Sequence, residues 1–322
     1  MNARLFSCLC FMLLLAGCGS PSLLITPVSN TSELREISVA EGHAFGGKIA
    51  IIEVEGMLLD DRTGGLLQPS ENPLSLFVQE LTQAENDDDV KAVVLRVNSP
   101  GGSVTTSDTM YDALLRFKTK THKPVIASAQ EVAASGAYYV SCGADKIIVS
   151  PTSIVGSIGV IFESFDFQDT LDKLGARSEA IKSAPLKDMG SPYRHLTPEA
   201  RAIMQNMVDE YYARFKNVVV TSRGIKDSKT LDLVTDGRVF SGTNAVSLGL
   251  ADQTGRLDDA IDMARKMADA PGAEVVMYKR PYGYTGSIYA EMPAPLPQSN
   301  SLNLKLPMSD WMPSGFYYLW QP

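Results

Sequence analysis

Residues 90–120 read VKAVVLRVNSPGGSVTTSDTMYDALLRFKTK. The opening VKAVVLRV is apolar without strict alternation, which is the pattern of a strand covered on both faces rather than one. NSPGG then breaks the run. Pro100 holds a turn, and Gly101 and Gly102 carry no Cβ, so another backbone can come close or φ can turn positive. A helical segment follows from Ser103. Buried strand, glycine turn and helix together make half of a βαβ unit.

The same alternation continues on either side. KIAIIEVEGML (48–58) is a β-branched run that predicts a buried strand and the start of order. In ENPLSLFVQELTQAEND (71–87), Asn72 suits a cap and Pro73 the first helical position. Leu74, Phe77, Val78 and Leu81 follow at i, i+3, i+4 and i+7. KPVIASAQ (123–130) and DKIIVSP (145–151) predict strands, with a small-residue helix from about Ser135 between them. The longest helix begins at Thr197 and Pro198, and Ile203, Met207, Tyr211 and Phe215 recur along it at every fourth position. Residues 236–255 are a glycine-punctuated turn region, 256–270 a final helix and 273–280 a last strand. The class is therefore α/β with a parallel sheet covered on both faces. Sites in such sheets gather at the carboxyl ends of strands, where NSPGG (98–102) and EVAASGAYY (131–139) both fall.

The ends of the chain are different. MNARLFSCLCFMLLLAGCGS has Arg4 ahead of a short apolar run and closes on LAGC, Leu15–Cys18. The run is short for a bilayer span, and small residues before a cysteine resemble a bacterial lipobox. Residues 1–17 are thus expected to leave as a signal, with lipid on Cys18 anchoring the rest to a membrane. Gly19, rather than aspartate, follows the cysteine, which favours the outer membrane. Residues 18–46 are expected to be a tether and 47–280 the folded domain. The Pro- and aromatic-rich tail, 281–322, is expected to dock rather than hang free, because both tryptophans, Trp311 and Trp320, lie in it. Within it SLNLKLP (301–307) alternates like a strand that adds to a sheet edge. Of four cysteines only Cys142 stays in the folded body, so no internal disulfide forms there. The formal charge of −8, with no basic cluster, argues against nucleic acid as a partner.

Ser135 stands between Ala134 and Gly136, where small neighbours leave room for a substrate backbone. A serine nucleophile needs a base and donors for an oxyanion. The NSPGG turn suggests the donors. None of the three histidines, His43, His122 and His195, is flanked as a catalytic imidazole would be. A lysine can serve when its amine is neutral, and Lys187, Lys182 and Lys146 are all candidates. Counting does not choose among them.

Four blocks do. VNSPGGSV (97–104), EVAASGAYYVSCGADKIIVSPTSIVGSIGVI (131–161), KSAPLKDMGSP (182–192) and DGRVFSGTNAVSLGLAD (236–252) resemble, in order, the signal peptide peptidase A (protease IV) family of serine peptidases. The resemblance covers about residues 48–270. It implies a spiral of βαβ units like that of Clp protease and crotonase. It also implies Ser135 as nucleophile, Lys187 as general base, Ser157 as the hydroxyl that orients the lysine, and Gly101 and Gly102 as the oxyanion hole. With no second copy of these blocks, the chain is of the single-repeat kind. A homo-oligomeric ring whose sites are shared between subunits is then expected, acting on extended peptides such as signal-peptide remnants or envelope proteins. No cofactor is implied, and the chain has neither His/Cys ligand spacing nor a phosphate-binding GxxxxGK[ST] motif. Two other readings use the same fold: an acyl-CoA enzyme of the crotonase type and a non-catalytic lipid-anchored scaffold. The tail is expected to lie along the sheet or near the cleft.

Overall fold

The computed structural model describes residues 33–43, 46–61, 71–280 and 315–321. Its centre is a parallel sheet of β2 (Lys48–Leu58), β3 (Val90–Ser103), β4 (Val125–Ala134) and β5 (Lys146–Val149), in that order, with the two-residue β9 (Gln253–Thr254) beyond β5. On the other side β10 (Glu274–Lys279) runs parallel to β2. The apolar strands are explained by what covers them. Ala50, Ile52, Val93, Leu95 and Val97 face one cluster, with Phe77, Leu81, Leu114 and Phe117 from the helices above them. Ile49, Ile51, Val94, Ile126 and Ile148 face the other, against Leu257, Ile261 and Ala264. Alternate residues of a single strand thus go to opposite cores, and neither face can be polar.

The helices form where their caps place them. Asn72 accepts from the Ser75 N–H and Pro73 opens α1 (Pro73–Asn86). Ser103 caps α2 (Val104–Thr121) through the Thr106 N–H. α3 (Gly136–Ser141) follows β4, and α4 (Gln168–Lys173) is a short exposed helix. Thr197 caps α5 (Pro198–Arg223), which Gly224 closes in the left-handed conformation. Its buried residues, Ala200, Met204, Phe215, Val218 and Val219, only partly follow the Ile203–Met207–Tyr211–Phe215 stripe. The turn region 236–255 holds β8 (Val239–Ser241), α7 (Gly242–Ser247) and β9, after α6 (Ser228–Val234). α8 (Leu257–Met267) completes the second face.

Two features depart from the local reading. β1 (Arg35–Ala40) lies inside the stretch expected to be a tether and pairs antiparallel with β10, Ile37 opposite Met277. Its partner lies far downstream, so no local signal marks it. The second is β11 (Gly315–Leu319), a strand no periodicity marked, although the tail was expected to lie along the sheet and this part of it does. The alternating 301–307 segment, Trp311, and the signal and lipobox residues including Cys18 lie outside the described residues. Among the described residues no helix is long and apolar enough to cross a membrane.

Candidate active site

β3 runs past its core into the glycine turn, so the turn is itself strand: Gly101 is opposite Met57 and Gly102 opposite Leu58 on β2. The glycines are sterically required. A Cβ on Gly102 would stand 2.0 Å from the Leu58 carbonyl oxygen, and Gly101 adopts φ +100. On the other side of β3, β4 ends at Ala134 and is continued by pairing with β6 (Ile154–Gly156), Ala134 opposite Gly156. That pairing delivers two serines to one place. The Ser135 N–H donates to the Gly156 carbonyl at 2.7 Å, and Ser157 follows directly.

Both serines are strained: Ser135 has φ 53 and Ser157 φ 50, in the region non-glycine residues avoid. Ser135 also has ψ −118 and directly precedes α3, so the chain turns sharply from strand into helix at the hydroxyl. Ser135 is 1% exposed, and its buried Oγ has no hydrogen-bond partner among the described residues. Gly136, which the sequence reading passed over, closes the same space. A Cβ there would lie 3.2 Å from the Gly102 nitrogen and 2.3 Å from the Ser107 Oγ. Glycine immediately after a candidate nucleophile at a helix start was the available signal. Its backbone N–H has no side chain of its own to shield it, nor has that of Gly102, whereas the Gly101 N–H donates to the Ser99 Oγ at 3.1 Å.

The candidate bases lie elsewhere in the chain. Lys187 is exposed, in the loop between α4 and α5, and among the described residues its amine has no ion pair or hydrogen bond. Lys182 pairs with Asp188 at 2.7 Å and donates to the Pro185 carbonyl, while Lys146 pairs with Asp252. Thus one chain brings Ser135, Ser157, Gly101 and Gly102 together, while Lys187 is exposed and, among the described residues, hydrogen-bonds neither serine. The histidines serve structure. His195 lies 2.7 Å from Asp166, whose carboxylate hydrogen-bonds it and holds its pKa above the ordinary value. His122 ends α2 in the left-handed conformation, and the His43 N–H donates to Gly272.

A hollow of about 410 Å³ opens beside Ser157, lined by Ile158, Val160, Tyr212, Asp236 and Leu319 among others. Next to it lies β11. Its Tyr318 is opposite Gly102 and its Leu319 opposite Gly101, and it pairs on its other edge with β7 (Ile161–Glu163). Cys142 is buried, and burial pushes its thiol up to about 11, as fits a packing residue. Among the described residues no cluster of three or more His, Cys, Asp or Glu side chains could hold a metal.

The sequence profile of Clp protease matches residues 47–155, and that of peptidase family S49 matches residues 117–270. A protein of Enterococcus faecium named as a signal peptide peptidase SppA is 35% identical over 249 residues, 77% of this chain and 72% of its own. One of Methanocaldococcus jannaschii named as a protease is 33% identical over 271 residues, covering 83% of each chain. Protease 4 of Salmonella typhi is 34% identical over 223 residues, 69% of this chain but 35% of that longer protein. The fold is Clp protease-like, and the acyl-CoA and scaffold readings give way to a peptidase. The chain belongs to peptidase family S49, the signal peptide peptidase A (protease 4) family of serine peptidases.

Proposed function

We propose that Ser135 is the nucleophile of an endopeptidase that cuts extended peptides, with the partner subunit's Lys187 as its base. In this reading Lys187 takes the Ser135 proton as Oγ attacks the scissile carbonyl carbon. The oxyanion is held by backbone N–H groups of the Gly101–Gly102 turn and of Gly136. The ammonium then protonates the leaving amine, the amine departs, and an acyl-serine remains. Water, deprotonated by the same lysine, attacks the acyl carbonyl and frees Ser135. Ser157, directly after the carbonyl that receives the Ser135 N–H, is suited to orient the amine.

The observation that carries the reading is the buried, unpartnered Ser135 Oγ at a strained turn into a helix. A hydroxyl kept this way costs about 1–3 kcal/mol, and a lysine amine from outside the chain would satisfy it. Lys182 and Lys146 are engaged in ion pairs with Asp188 and Asp252, whereas the Lys187 amine is free of such a partner among the described residues. Its loop also exposes apolar side chains, with Ile181 fully exposed and Leu174 76% exposed, as a surface covered by a second copy would. The hollow beside Ser157 supplies a way in. Lipid on Cys18 would hold the ring to the outer membrane on its extracytoplasmic face. Signal-peptide remnants or other envelope peptides would be the substrates.

The test is peptide hydrolysis by single variants, together with labelling by a fluorophosphonate. Ser135→Ala and Lys187→Ala should each lower kcat by roughly 10³-fold or more, while Lys182→Ala stays within about threefold of wild type. Activity surviving in Ser135→Ala, or lost only in Lys182→Ala, rejects the assignment. Cys18→Ser should release the protein from membranes, and retention would reject the lipid anchor.

A further inference from the structure

A second hollow, of about 350 Å³, lies between the start of α1 and the carboxyl ends of β2 and β10. Strand ends of this kind are where largely parallel sheets place ligands. Its described lining includes neither Ser135 and Ser157 nor the glycines of the 101–102 turn. Most of that lining is apolar, from Leu34, Val54, Leu58, Leu76 and Met110 among others.

The charged groups in the hollow and paired to it do not balance. Arg96 is 3% exposed and reaches Glu53 at 2.5 Å and Glu55 at 2.7 Å. Lys279 pairs with the other oxygen of Glu53, and Arg280 with Glu71. The remaining carboxyl, Glu80, is 1% exposed and has no cation paired with it among the described residues. It accepts one hydrogen bond, from the Glu53 N–H at 3.2 Å. Burial, reinforced by the charge of Glu53, draws it toward its protonated form. Tyr278, 3% exposed, also lines the hollow, and its hydroxyl has no hydrogen-bond partner among the described residues.

We propose that this hollow is a ligand site for a small amphipathic primary amine, with the ammonium on Glu80 and the apolar body against Leu58, Leu76 and Met110. An ammonium is the cation that Glu80 lacks. Its three donors suffice for the carboxylate and for the Tyr278 hydroxyl oxygen. An anionic ligand would stand among the carboxylates of Glu53, Glu55 and Glu71 and is refused. A neutral one of the same shape fills the apolar part but leaves Glu80 without a counter-ion. Such an ammonium comes either from an alkylamine or from the amino end of a short peptide.

The test measures binding to the full chain by titration calorimetry with hexylamine, hexanol and leucine amide, and folding by thermal melts. Hexylamine should bind at least tenfold more tightly than hexanol, which has the same apolar body and no charge. Glu80→Gln, which can still accept from the Glu53 N–H, should stay folded and weaken hexylamine at least tenfold. Leucine amide separates the two sources: the tighter of the two amines shows whether an alkylamine or a peptide's amino end is the better fit. Equal affinity for hexylamine and hexanol overturns the proposal, as does unchanged binding to folded Glu80→Gln, or no binding of either amine. If Glu80→Gln fails to fold, Leu76→Trp, which fills the hollow and leaves the carboxyl in place, is read in the same way.

Discussion

A seryl hydroxyl with no partner, at φ 53, combines two costs at one residue, each on the order of 1–3 kcal/mol. Neither is required by the core around it, whose apolar residues are satisfied by burial alone. The conjunction is what marks Ser135 out. In the sequence the small neighbours of Ser135 and its place in a family block were legible. The strain is invisible there because it arises from the β4–β6 pairing, whose partner lies some twenty residues on. Gly136 was missed because a lone glycine after serine has many structural uses. Glu80 shows a similar cost without a place in the chemistry. It is 1% exposed, and burial, reinforced by the charge of Glu53, raises its pKa well above the ordinary carboxyl value. Its folded-state pKa exceeds its unfolded one, so the part of the stability that Glu80 contributes is fully present below about pH 4.5 and is lost as pH rises through the folded pKa. Glu80→Gln can still accept from the Glu53 N–H. We expect it to be more stable than wild type at pH 8 by at least about 1 kcal/mol, one pKa unit being worth about 1.4 kcal/mol. Urea melts at pH 4 and pH 8 check this: the gap should close at pH 4, and a constant gap would contradict it.

Among the elements, the parallel core was the most legible, because strands buried on both faces have continuous apolar runs and the helices between them have Asn72, Ser103 and Thr197 as caps. The elements that escaped, β1 and β11, are those whose partners lie far away along the chain. β1 has no buried residue of its own to set a period, and the buried residues of β11, Tyr317–Leu319, are consecutive rather than alternating. The glycine turn was read as a loop, yet it is the last part of β3, paired with both β2 and β11. This gives the turn a stability role that can be separated from its chemistry. Gly102→Ala must push the ends of β2 and β3 apart, since the Leu58 carbonyl oxygen lies 2.0 Å from the added carbon. Gly56→Ala, at φ +63 with nothing within 4 Å, meets only backbone strain. We expect losses of about 2–4 kcal/mol for Gly102→Ala and about 1 kcal/mol for Gly56→Ala, read from denaturation midpoints. Equal losses would contradict the close approach.

For the whole molecule, one chain brings Ser135, Ser157 and the glycines of the 101–102 turn together, while Lys187, the base proposed above, stands on an exposed loop. The family blocks made Ser135 and Lys187 legible as residues, and the lack of a second copy of those blocks carried the expectation that they meet between chains. That depends on surfaces contributed by a second copy. A base that must be neutral also predicts hydrolysis rising toward alkaline pH. The central claim is tested most directly by mixing. Ser135→Ala and Lys187→Ala chains, each inactive alone, are unfolded together in equal amounts, refolded, and assayed for peptide hydrolysis with native mass recorded. A shared site predicts recovery of about a quarter of wild-type activity, the chance that a good serine meets a good lysine across a closed ring. Mixed oligomers that form by mass and remain inactive would contradict it.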